Sequence, residues 1–165
     1  MTTGSGGEAP PAQGGAYDFA GHVVLSYSPE RDGEPDPGEV VWAWVSYEDD
    51  PRVGKDRPVA VLGRTDDGRL AAVMLSSQDH DADRGWVAIG SGPWDPRGRR
   101  SWVRTDRLLA VPADAVRREG ATLPRPVYDR VVAGLDRRVL SPATPTRRGP
   151  LAHLRALFRR WGRSG

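Results

Sequence analysis

Residues 38–78 read GEVVWAWVSYEDDPRVGKDRPVAVLGRTDDGRLAAVMLSSQ. Three apolar runs within it, GEVVWAWV, PVAVLGR and LAAVMLSSQ, are rich in β-branched and aromatic residues, which suit a pleated surface, so each is expected as a strand. In the first run Val40, Trp42 and Trp44 share one face and Val41, Ala43 and Val45 the other. Both faces are apolar, so the sheet is expected to curve and close on itself rather than lie open. Pro58 should stand at the start of the second strand, where a missing N–H breaks no ladder bond. SYEDDPRVGKDR is longer than a tight hairpin loop, whereas TDDGR is a tight turn on Asp67-Gly68. Function is expected where the loop around Lys55 to Arg57 meets the end of the third strand at Ser76.

Outward from this stretch, WVAIG reads as a fourth strand and SWVRTDRLLAV as one bent strand or two, divided by the loops DHDADRG and SGPWDPRGRR. Six short strands at close spacing describe a small barrel. PADAVRREG then reads as a two-turn helix ended by Gly120. From Pro124 to Leu140, Val127, Val131, Leu135 and Val139 recur every four residues, the apolar stripe of a helix packed on the barrel. Before the barrel, Tyr17 to Tyr27 alternates loosely enough for an edge strand, and residues 1–16 are too poor in large apolar side chains to fold. The expected organisation is a flexible acidic segment over 1–37, a barrel domain over 38–140, and over 141–165 a linker followed by a basic amphipathic helix carrying Leu151, Leu154, Leu157, Phe158 and Trp161.

The chain has 165 residues, 38% hydrophobic and 28% charged, in keeping with one soluble folded unit. It has no cysteine, which excludes a disulfide framework and thiolate metal sites and fits a reducing compartment. No apolar run reaches membrane-spanning length and no secretory signal is evident, so a cytoplasmic location is expected. The net charge is only +2, but it is unevenly spread. Residues 1–37 set Glu8, Asp18, Glu30, Asp32, Glu34 and Asp36 against Arg31, while residues 141–165 carry six arginines and no acid. The two ends would meet different partners.

GEVVW opening the barrel, Arg57-Pro58 closing the first long loop, SSQ ending the third strand at Ser76, and SWVRTDRLLAV followed by a helix together resemble the MazF/PemK (Kid) toxins of type II toxin-antitoxin systems. The resemblance spans Gly38 to about Val139. It implies a mainly β fold, a small SH3-like barrel of the CcdB/PemK type with one or two C-terminal helices, usually a homodimer. It further implies a sequence-specific endoribonuclease that cleaves single-stranded RNA without a metal or cofactor and is bound by a cognate acidic antitoxin. Two departures stand out: Ser76 where the family usually has Thr, and Arg52 where it often has Glu. Two other functions suit such a barrel: binding a protein such as DNA gyrase without catalysis, or binding RNA without cutting it.

Cleaving RNA by attack of the neighbouring 2′-hydroxyl requires a cation for the phosphoryl oxygens, hydrogen-bond donors and a proton carrier. Arg57 is the first candidate, since a guanidinium fork can hold two phosphoryl oxygens. Ser76 adds a hydroxyl. Because guanidinium gives up a proton reluctantly, the electrostatic role suits Arg57 better than that of a base. His80, in SSQDHD, is the alternative proton carrier, because imidazole titrates near neutrality. Lys55, Ser77, Gln78 and Asp79 are candidate RNA contacts, with Trp94 in its Gly-Pro loop as a stacking platform. The bland alternatives are an Arg57–Asp56 ion pair, a strand-end hydroxyl bonded to backbone, and a solvated His80. Asp79, His80 and Asp81 have ligand chemistry, but adjacent loop residues chelate poorly, so no metal site is expected. The loop from Ser46 to Asp56 would gate RNA access. The C-terminal helix is expected to pack on the barrel or on a second copy, with anionic membrane or RNA as the other surface it could meet.

Overall fold

The structure, a computed structural model, describes residues 7, 9–11, 14–30 and 33–137. Its centre is the expected run of three strands: β3 (Glu39–Ser46), β4 (Gly54–Thr65) and β5 (Leu70–Ser76). They pair antiparallel, Val40 opposite Ala60 and Val59 opposite Met74. Before them come β1 (Tyr17–Asp18) and β2 (Val23–Leu25). After them come β6 (Trp86–Gly90), β7 (Ser101–Arg104), β8 (Leu109–Val111), β9 (Val116–Thr122) and the helix α1 (Arg125–Gly134). The expected mainly β class is therefore the observed one.

The sheet runs β1-β8-β5-β4-β3-β9, with β2 on the far end of β4 and the β6-β7 pair on the far end of β5. It curls until its first strand meets its middle. Ala16, just ahead of β1, bridges Val45 of β3: its amide donates to the Trp44 carbonyl at 2.7 Å and its carbonyl accepts from the Ser46 amide at 3.3 Å. With β1 also paired to β8, through Tyr17 and Ala110, the N-terminal arm joins the two sides of the curl.

Alternation divides the core in two, as period-two side chains on a two-sided sheet must. Val41, Ala43, Val45, Val59, Val61, Leu70, Ala72 and Leu109 form one cluster, with Ala16. Val40, Ala60, Leu62, Ala71, Val73 and Leu75 belong to the other, which α1 covers with Tyr128, Val131 and Leu135. Each of these fully buried Val and Leu side chains stabilises the fold by about 1.5–3 kcal/mol relative to exposure. The Tyr128 hydroxyl donates to the Leu62 carbonyl at 2.7 Å and so fixes the helix to β4.

Four expectations change. PADAVRREG is not a helix: only Ala113–Ala115 make a single 3₁₀ turn, and the rest is β9, paired with β3. The unpaired edge of β3 offers a ladder that outweighs local helix propensity. The helix that follows stops at Gly134, after which Leu135 is extended. In the acidic N-terminal segment the single edge strand expected from Tyr17 to Tyr27 is two short ones, β1 and β2, because its few apolar residues find partners on distant strands. Finally, β4 starts at Gly54, so Lys55, Asp56 and Arg57 are strand residues, and the expected loop gate shrinks to Tyr47–Val53. Val139 of the apolar stripe and the C-terminal amphipathic helix lie outside the described residues.

Candidate functional site

The long strand β4 has two neighbours along most of its length and one at its start. β3 follows it down to Gly54, but the ladder to β5 ends at Val59 opposite Met74. The next residue is Pro58, which has no N–H to give a β5 carbonyl. Continuing the same register two positions would set Arg57 against Ser76. The strands instead part there, and β5 turns to pair with β7, Ser76 opposite Trp102. The gap is an open cleft of about 270 Å³. Lys55, Asp56 and Arg57 line it from β4, Ser76, Ser77 and Gln78 from the end of β5, and Trp94, Asp95 and Arg99 from the loop between β6 and β7.

The charges in this cleft do not cancel. Asp56 accepts from Arg117 at 3.0 Å, so the expected Arg57–Asp56 ion pair is not the one formed. Asp95 is taken by Arg99 at 2.8 Å. Arg57 and Lys55 have no ion pair among the described residues, although Arg57 is half-buried. Burial pushes the Arg57 guanidinium below its ordinary pKa; Tyr47 opposes that shift and the nearby Arg107 cation adds to it. A guanidinium still keeps its charge at neutral pH. A partly desolvated cation without an ion-pair partner among the described residues attracts anions.

At the other wall the Ser76 hydroxyl oxygen accepts from the Gln78 amide at 3.1 Å and lies 3.3 Å from His80 Nε2. His80 in turn has its Nδ1 2.7 Å from the Asp83 carboxylate. Its ring stacks flat on Trp86, centroids 3.7 Å apart and planes 2° from parallel. His80 is thus neither solvated nor loosely held; its side chain is only 17% exposed.

Of the candidate residues read from the sequence, Arg57, Ser76, Lys55, Ser77 and Gln78 share the cleft, and His80 touches it through Ser76. Asp79 does not line it: its carboxylate turns back to accept from the Asp81 amide at 2.9 Å, as an Asx side chain in a turn readily does. Trp94 lines the cleft but is 4% exposed and belongs to the core, so it offers no open face for stacking. The half-buried aromatic on the cleft is Trp42, which the strand pattern marked as core. Asp83, Asp95 and Arg99 were also missed. The spacing of His80 and Asp83 in HDAD was the available signal for the first, and nothing local marks the other two.

Among the described residues no helix is long and apolar enough to cross a membrane. A search of curated proteins finds no match. A family model described as PemK-like, MazF-like toxin of type II toxin-antitoxin system matches residues 36–138, which takes in β3 through α1 and every residue lining the cleft. With well over half its length matched and a curled antiparallel sheet carrying one helix behind it, the chain belongs to the PemK-like, MazF-like toxins of type II toxin-antitoxin systems.

Proposed function

We infer that the toxin is a metal-independent endoribonuclease that cuts single-stranded RNA in the cleft between β4 and β5. The observation that supports this reading best is the half-buried Arg57 guanidinium, free of any carboxylate among the described residues, in the same cleft as Lys55 and the Ser76 hydroxyl. In the reaction the 2′-hydroxyl attacks the adjacent phosphorus and the 5′-oxygen leaves, giving a 2′,3′-cyclic phosphate. Charge grows on the two non-bridging oxygens, and the Arg57 fork can meet both with directed N–H groups. Lys55, Ser77 and Gln78 hold the flanking strand.

Membership of the family implies an antitoxin partner. Action as a homodimer in the cytoplasm, with an acidic antitoxin laid over the cleft, follows from the family resemblance and is part of the same proposal. The test is incubation of the purified protein with mixed single-stranded RNA in EDTA. Products ending in a 2′,3′-cyclic phosphate, lost in Arg57→Ala with folding intact, support the reading. Intact RNA across many sequences, with growth arrest on expression and trapped gyrase, would point to the protein-binding function instead.

A further inference from the structure

We propose that Asp83, His80 and Ser76 form a proton relay that serves the cleft, with His80 as a positioning and proton-accepting group acting through the Ser76 hydroxyl. This rests on the endoribonuclease reading. The problem it answers is chemical: Arg57 and Lys55 are cations, and neither readily takes the 2′-hydroxyl proton.

The hydrogen-bond inventory allows one direction of transfer. Asp83 lies 2.7 Å from His80 Nδ1, and an ionised carboxylate only accepts, so Nδ1 carries the hydrogen. In the neutral ring Nε2 is then bare. Ser76 sits 3.3 Å from Nε2 and its oxygen already accepts from the Gln78 amide at 3.1 Å. Its own hydrogen therefore goes to His80, and one lone pair is left over on a residue that lines the cleft. Stacking on Trp86 fixes the ring plane, and Trp102 sits edge-on to the ring, centroids 6.4 Å apart. The charges around the ring are accounted for. Asp79 accepts from a backbone amide, Asp81 from the Trp102 indole at 2.8 Å, Arg100 lies over the Trp102 ring, and Arg104 is held by Glu48 and Asp106. Asp83 is the carboxylate bonded to the imidazole.

The bond from the 2′-oxygen to phosphorus forms as the bond from phosphorus to the 5′-oxygen breaks. The 2′-hydroxyl proton moves to the Ser76 oxygen while the Ser76 proton moves to His80 Nε2. The 5′-oxygen takes a proton from water, and the resulting hydroxide is neutralised when the imidazolium returns its proton to solvent.

The experiment is steady-state cleavage of a single-stranded RNA in EDTA over a range of RNA concentrations, across a pH series, by the full chain and by His80→Gln and Asp83→Ala. Urea melts confirm folding of each. The wild type should lose rate tenfold per pH unit on the acid side, where a protonated ring can no longer accept. His80→Gln should lose about 10²–10⁴-fold in kcat at neutral pH with KM little changed, and the acid limb should vanish. Asp83→Ala should lower kcat and leave KM unchanged, and ¹⁵N spectra of the ring should show it losing the tautomer with hydrogen on Nδ1. Cleavage by His80→Gln at the wild-type rate and with the wild-type pH profile overturns the relay and leaves the ribonuclease reading intact. A wild type that cuts no RNA overturns both.

Discussion

Asp18→Ala tests whether the N-terminal arm is a structural part of the barrel. Arg107 carries a side chain only 8% exposed and spends its guanidinium on three groups. Its Nε donates to the Asp18 carboxylate, its Nη2 to the Ser46 carbonyl at 2.7 Å, and its Nη1 points at the Met74 sulfur at 3.9 Å. One arginine thus joins the arm to β3 and β5. Removing Asp18 leaves the Nε–H without an acceptor in a mostly buried site, which costs about 1–3 kcal/mol. The higher cost of about 3–5 kcal/mol for splitting a fully buried pair is not expected. The Asp18 side chain is 51% exposed, so water can reach the vacated position. At roughly 3 °C per kcal/mol for a fold of this size, Tm should fall by about 3–9 °C. Urea unfolding followed by tryptophan fluorescence should show a lower midpoint with an unchanged m-value. Arg107→Met in the Asp18→Ala background should cost much less than the sum of the two. Asp66→Ala, which removes an exposed partner of His22, serves as the control and should have no measurable effect. An Asp18→Ala midpoint indistinguishable from that control would refute the claim that the arm closes the barrel.

A Cβ at Gly63 would sit 2.1 Å from the Val24 carbonyl oxygen, so Gly63→Ala should push β2 off β4, cost about 1–3 kcal/mol and raise hydrogen exchange at the Val23–Leu25 amides. Burial pushes the Asp95 carboxyl up, but the Arg97 amide and the Arg99 guanidinium outweigh it and hold the group below the ordinary carboxylate range. A group lowered in the folded state stabilises above its unfolded pKa of about 4 and loses that contribution as pH falls through the folded value. Asp95→Asn should therefore flatten the acid-side loss of stability in urea melts run from neutral pH down past about 4. Arg57→Lys keeps a cation but loses the planar fork, so single-turnover cleavage should still fall about 10²–10³-fold while the urea midpoint holds, and full activity in that variant would reduce Arg57 to a point charge.

The three central strands were legible because each carries its signal within itself. Val40 to Val45, Val59 to Leu62 and Leu70 to Leu75 are continuous apolar runs, and both sheet faces needed cover. The remaining elements, among which Tyr17 to Tyr27 read only loosely as an edge strand, take their structure from elsewhere in the chain. β1 and β2 are two and three residues long, too short to declare a period, and are held by pairing with β8 and β4. β9 reads VRREGAT, with no apolar alternation, and exists because β3 had a free edge. Trp94 was drawn outward by the Gly and Pro around it, yet it is buried in the same core cluster as Ile89, Val103 and Leu108. In each case a long-range contact outweighed a local preference.

The cleft was legible for a related reason. Arg57 and Ser76 stand at the ends of two strands whose pairing is set by Val59 and Met74, so the register that buries the apolar runs also fixes which polar residues come last. Pro58 then prevents the ladder from closing over them. Had the ladder continued, the guanidinium and the hydroxyl would be cross-strand neighbours; because it stops, they border an open cleft. The arm matters here as well. Arg107, neutralised by Asp18, is the second cation that Arg57 senses, so the same ion pair that closes the curl also sets the charge behind the cleft. Asp18→Ala should therefore change cleavage as well as stability. With Arg107 unpaired, the positive field at the cleft rises, so RNA should bind more tightly at low salt and the gain should disappear as ionic strength rises. Binding of an RNA with its 2′-oxygens methylated, measured across a salt series, separates this effect from any loss of folding. Identical salt slopes for wild type and Asp18→Ala would show that Arg107 acts on the fold alone.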